Sequence, residues 1–238
     1  MASGVYVGMT GATARLRQLD AISDNLANAN TPGFRATRPV FEAVLAEAGS
    51  DKHMTKLVGA GVDLRPGAVM NTERPLDLRP ANGTYFGVRM SDGDVAFTRD
   101  GRVLVEATGR LTIGGRPVVS ESGQEITVPP DTRLSFDERG QVLVNDQPAD
   151  TLGLFQLNGR VDKVGPSLLR PTSEDGAGRV DPQQRQVKIG ELDGSNYSAL
   201  EATLALVSAQ RAYDASMQSI QVYKRVDELA NGVGKPRG

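Results

Sequence analysis

One histidine, His53, and scattered carboxylates are the first side chains to weigh for acid–base chemistry, and none stands in a pattern that a reaction requires. His53 lies in a polar loop sequence, where a solvated imidazole is expected. A serine nucleophile needs a base and a strained turn, and no Gly-x-Ser-x-Gly surrounds any serine. With no cysteine and one histidine, a tetrahedral zinc site would need mostly carboxylates, a poor donor set for that ion. Glu121, Glu125, Asp137 and Glu138 could supply an acid pair, but any protein surface offers such neighbours. The glycine-rich pieces GGRPVVSESG and EDGAGR match neither a phosphate loop nor a dinucleotide fingerprint and are expected as turns. No enzyme activity, catalytic residue, metal, cofactor or small-molecule substrate is therefore expected. A net charge of −2 gives no electrostatic case for nucleic acid or an anionic membrane.

The most informative residues are amides. SDNLANANTPGFR, residues 23–35, ends an apolar stripe on Asn25, Asn28 and Asn30, then turns on Thr31-Pro32-Gly33 before Phe34. Asn closes helices and satisfies free backbone groups in turns. Pro followed by Gly suits a type II turn, because Gly accepts the positive φ of its third position.

The elements around this stretch differ between the ends and the middle. Val5, Met9, Ala12, Leu16, Leu19 and Leu26 follow heptad spacing, which predicts a helix over 5–27, roughly 33 Å long. Tyr197 to Ala230 contains no Gly or Pro and predicts a second helix of about 50 Å. Its broad apolar face includes Leu200, Leu204, Leu206, Val207, Tyr213, Met217, Ile220, Tyr223 and Val226. Asp193-Gly194-Ser195-Asn196 is expected to stop the preceding sheet and cap this helix. Between the ends the pattern is β-like. Phe86, Val88 and Met90 alternate, as do Val95 and Phe97, then Val103 and Val105, with Asp-Gly and Gly-Gly turns between them. Further strands are expected at Thr132–Phe136, Val142–Val144, Leu152–Leu157 and Val187–Leu192, closing a small antiparallel sandwich or barrel. Thr37–Leu45 reads as extended or helical, and the pieces around 49–56 and 59–67 as loop. No run reaches the ~18 apolar residues of a membrane span, and the N-terminus lacks the pattern of a cleaved secretory signal.

The expected fold is α+β. Terminal helices at 1–35 and 196–238 form a coiled-coil-like assembly domain, 36–65 an extended linker, and 66–195 a β-rich domain. Two amphipathic helices cannot bury such broad stripes against each other alone, which argues for assembly. Val5, Met9, Ala12, Leu16, Leu19, Leu26, Leu200, Leu204, Val207, Tyr213, Met217 and Ile220 are the expected interface. Asn25, Asn28, Asn30, Thr31, Pro32, Gly33 and Phe34 are the turn that closes the first helix.

LDAISDNLANANTPGFRATRPVFEAVL closely resembles the N-terminal signature of flagellar axial proteins, the rod, hook and hook-associated proteins. GSNYSALEATLALVSAQRAYDASMQSIQVYKRVDELAN resembles their C-terminal signature, through Ser195-Asn196 and Gln210-Arg211-Ala212-Tyr213. PGAVMNTERPLDL and FTRDGRVLVEATGRLTIGGRPV are similar to the central module of the rod and hook members. Gly83-Thr84-Tyr85-Phe86 replaces the usual Gly-Phe-Phe, and Tyr197 stands where Val is common. The resemblance implies a structural subunit of the basal-body rod, stacked helically into a hollow drive shaft across the periplasm, with the terminal helices as its axial domain, 66–195 as its outer domain, and 36–65 and the Asn25–Phe34 turn as the elbow. It implies self and other axial proteins as partners, and export by the flagellar type III apparatus without a cleaved signal peptide. Length and the lack of a large inserted outer domain disfavour a hook protein, and a proximal rod member is the first choice, with a distal rod or hook-type member as the alternative. A secreted β-rich binding module is the competing class.

Overall fold

The computed structural model describes residues 2–45, 53–130 and 132–233, and the side chains within them except at 2–8, 39–59, 227–228 and 230–233. The chain divides into two compact units. Residues 1–27, 37–61 and 198–238 form the helical unit; 28–36 and 62–197 form the β unit.

The helical unit contains α1 (Ala2–Ala27), the strands β1 (Thr37–Leu45) and β2 (His53–Val62), and α2 (Ala199–Val233). The helices pack against each other, α1 also packs on β1, and β1 pairs with β2 as a two-stranded ribbon. The segment 36–65, expected as an extended linker with loop beyond residue 49, thus holds two paired strands. The glycines at 59 and 61 read as breakers, but a two-stranded ribbon tolerates them because it has no close-packed neighbouring strand.

The β unit is built on a six-stranded antiparallel sheet, in the order Val161–Gly165, Leu168–Pro171, Val95–Thr98, Thr84–Arg89, Leu154–Leu157 and Ala177–Arg179. Period-two alternation sends Phe86 and Val88 into the main core with Leu78, Val103, Leu111, Ile126, Leu152 and Leu154. Tyr85, Phe97 and Leu169 occupy the opposite face, where Phe155 packs edge-on to Phe97 at 5.1 Å between ring centres. The remaining strands form small two- and three-stranded sheets around this one, rather than a single sandwich or barrel. Edge strands such as Val161–Gly165 and Ala177–Arg179 escape the alternation pattern because their sequences are largely polar or small.

The single strand expected over 187–192 is two. Gly190, at φ +76°, breaks it into Val187–Ile189, paired with Leu78–Pro80, and Glu191–Asp193, paired with Val69–Asn71. The second of these brings Asp193 to the place where 28–36 crosses the unit.

Because the β unit includes 28–36 and runs to residue 197, a fragment cut at 66–192 loses both Arg35 and Asp193 and leaves buried Arg99 without its carboxylate. An unpaired buried charge costs about 3–5 kcal/mol. The expected outcome is a cooperative thermal melt, followed by circular dichroism, for a 28–197 fragment. A 66–192 fragment should melt at least ~10 °C lower or show no transition.

Candidate assembly site: helix faces and elbow

Asn25 ends α1 on a mutual pair of bonds. Its Nδ2 donates to the Thr37 carbonyl and its Oδ1 accepts from the Thr37 N–H, both at 2.9 Å. The buried amide thereby imitates a neighbouring strand for the first residue of β1, and no apolar side chain of that size could do so. Asn28 tightens the turn, its carbonyl accepting from the Thr31 N–H at 3.0 Å and its side chain from the Thr31 hydroxyl at 3.3 Å. Asn30 is exposed. The Phe34 N–H donates to the Thr31 carbonyl across Pro32-Gly33, with Gly33 at φ +73°, which is the expected type II turn. A Cβ on Gly33 would overlap the Asp100 backbone, so glycine is needed both for its φ and for the close approach. Pro32 is buried, and Phe34 is sealed beneath the Lys163 ammonium, 3.9 Å from its ring centre.

Beside this turn lies a buried cluster that spacing could not reveal. Arg35 and Arg99 both donate to Asp193 Oδ2 in close contacts. The Arg99 guanidinium also donates to the carbonyls of Pro80, Ala81 and Thr84, and Arg35 Nη1 to those of Phe34 and Gly194. Burial pulls the Arg35 guanidinium below its usual range, an effect that Asp193 opposes and Arg99 reinforces. Burial likewise pushes the Tyr85 hydroxyl up, although Arg99, 5.7 Å from its ring centre, and Arg35 both oppose the shift. Asn196, expected as a helix cap, instead accepts from the Ala36 N–H and donates to the carbonyls of Asp63 and Arg65. The only sequence signal was the polar run Asp193-Gly194-Ser195-Asn196, which also fits an ordinary loop.

The helices divide the expected interface residues between two faces. Ala202, Ala209 and Ile220 are buried on α2, with Leu206, Tyr213 and Ser216 half-buried between them, at alternating spacings of four and three. Ala12, Ala14, Ile22 and Asn25 are buried on α1, with Leu19 and Leu26 half-buried. The larger apolar residues face out: Met9 is 57% exposed, Leu16 48%, Leu200 72% and Leu204 67%, with Val207 and Met217 also exposed. The side chain of Val5 lies outside those described. Beyond Ile220, residues 221–226 are all exposed, including Val222, Tyr223 and Val226. Ile220, expected between subunits, instead belongs to the seam within the chain, because small residues set that seam and the interhelical spacing it allows.

The carboxylates weighed for acid–base chemistry each have a partner of their own. Glu121 pairs with Arg185, which holds its carboxyl below the usual range, and Glu125 lies 3.7 Å from Arg110. Asp137 accepts from the N–H groups of Arg139 and Gln141, and Glu138 lies 3.9 Å from Lys188. The His53 side chain is outside those described.

Comparison with known proteins matches the first helix with its closing turn and part of the β unit. The family profile "Flagella basal body rod protein" matches residues 5–35, and "Flagellar hook protein FlgE/F/G D1 domain" matches 82–144. The chain is 33% identical to the flagellar basal-body rod protein FlgF of Escherichia coli K12, covering 92% of this chain and 93% of that protein. This chain is a member of the flagellar basal-body rod protein family. Another rod-family relative, FlgF of Salmonella typhimurium, is also 33% identical over 97% of this chain and 98% of its own length. FlgG of Bacillus subtilis, from the same family, is 28% identical over 97% and 99%. The N-terminal match to the rod family ends at Arg35, the residue that reaches Asp193.

Two substitutions test the geometry in this rod-family chain. Asn25→Ala removes both side-chain bonds to the Thr37 backbone and should cost about 1–3 kcal/mol in urea unfolding. Ile220→Asp places a carboxylate in the helix seam and should cost about 3 kcal/mol, with loss of helical circular dichroism in the isolated chain.

Proposed function

We propose that the chain is a structural subunit of the flagellar basal-body rod, built into the shaft by its two terminal segments. The observation that carries this reading is the outer helix surface. A folded chain whose helices already meet through Ala202, Ala209 and Ala14 still holds Leu200, Leu204, Val207, Met9 and Leu16 in water. Apolar side chains concentrated along helix faces signal an interface. Those faces would pair as coiled coils with copies of this chain and with other axial rod proteins, carrying torque along the shaft. Family membership supports the rod as the place of action. The two relatives at 33% identity support a FlgF-like position in the proximal rod before a FlgG-like one. Delivery by the flagellar type III apparatus to a periplasm-spanning location follows from that assignment.

Leu204→Asp separates assembly from folding. Leu204 lies on the face of α2 roughly opposite Ala202 and Ala209, so the substitution should shift the isolated chain's melt by no more than about 2 °C. In cells the variant should be exported, absent from purified basal bodies, and non-motile. Normal incorporation into the rod would show that this face is not an assembly surface.

A further inference from the structure

Arg35, Arg99 and Asp193 are all sealed from water, and the two guanidiniums share one carboxylate oxygen. Tyr85, whose ring faces the Arg99 guanidinium, is held in its neutral form by burial. Arg35 Nε is buried with no hydrogen-bond partner. The cluster therefore carries a surplus positive charge in a setting where unpaired charge is expensive.

The two arginines are not equivalent. Arg99 is fixed by carbonyls of Pro80, Ala81 and Thr84, next to the strand Val95–Thr98. Arg35 sits in 28–36, a segment with no strand of its own, and one of its other two acceptors is the carbonyl of adjacent Phe34. If Arg35 leaves, its guanidinium regains water, and Asp193 and Arg99 remain as a balanced one-to-one pair. If Arg99 left, three backbone carbonyls would lose a donor.

We propose that residues 28–36 are a charge-poised latch. Arg35 is its bolt and Asp193 its catch, and Arg99 is a fixed cation that weakens the docked state relative to the released one. The latch is held by bonds whose donors report its state directly: the Gly33 N–H on the Asp193 carbonyl at 2.6 Å and the Ala36 N–H on Asn196 Oδ1 at 2.8 Å. This device is independent of what the outer helix faces bind.

Hydrogen–deuterium exchange on the full-length chain tests it. Amides of 33–36 should exchange at least ~10-fold faster than those of Phe86 and Val88, although both sets are buried. Equal protection of the two would overturn the proposal. Arg99→Gln removes the opposing cation and leaves Arg35 paired one-to-one with Asp193. The exchange of 33–36 relative to Phe86 and Val88 should then slow by about 3-fold or more. Unchanged or faster relative exchange in this variant would mean that surplus charge does not poise the segment, and the proposal would fail.

Discussion

A single buried carboxylate holds the β unit closed. Asp193 arrives at the end of the last strand of that unit, and its side chain receives Arg99 from the middle of the chain and Arg35 from its beginning. Its Oδ1 also accepts from the Gly67 N–H at 3.1 Å, and its carbonyl from the Gly33 N–H. Three stretches far apart in sequence thus depend on one residue for their relative placement. Hydrophobic burial supplies most of the driving force in the core around Phe86 and Leu111, but it is non-directional. Charged hydrogen bonds with fixed geometry decide where the ends of the chain cross.

The helices show why burial could not be read from apolar strength alone. A heptad track consists of two rows about 60° apart around the helix. Met9 and Leu16 stand on one row of α1 and are exposed, while Ala12, Leu19 and Leu26 stand on the other and are buried or half-buried. The true seam runs through Ala14, Ala202, Ala209 and Ser216, residues too small to stand out in a hydrophobic pattern. Small residues bring helix axes close, and the large ones are left on the outside.

The elbow was more legible. Pro32-Gly33 has few conformational options, and the asparagines before it announced a turn that needs side-chain hydrogen bonds. The alternating strands around Phe86, Val95 and Val103 were legible for the same reason, since each carries its own period and its own turn. The Arg35–Asp193–Arg99 cluster was not legible, because its members lie 158 and 94 residues from Asp193 and nothing local marks them. The ribbon was also hidden. Its strands carry neither clean alternation nor a short turn, and only pairing with each other identifies them.

The junction at Asn196 has a consequence for how such chains can diverge. The Ala36 carbonyl accepts from the Asp63 N–H at 2.9 Å, and Asn196 joins both passages through Ala36 and the Asp63 carbonyl. The chain therefore departs at residue 36 and returns at residue 63 through a stitched neck, with the whole of β1 and β2 as an excursion between. Closing a longer or shorter excursion at such a neck changes the entropy only logarithmically, about 0.6 kcal/mol per doubling. The length of the excursion can therefore change at small closure cost while the bonds at the neck stay the same.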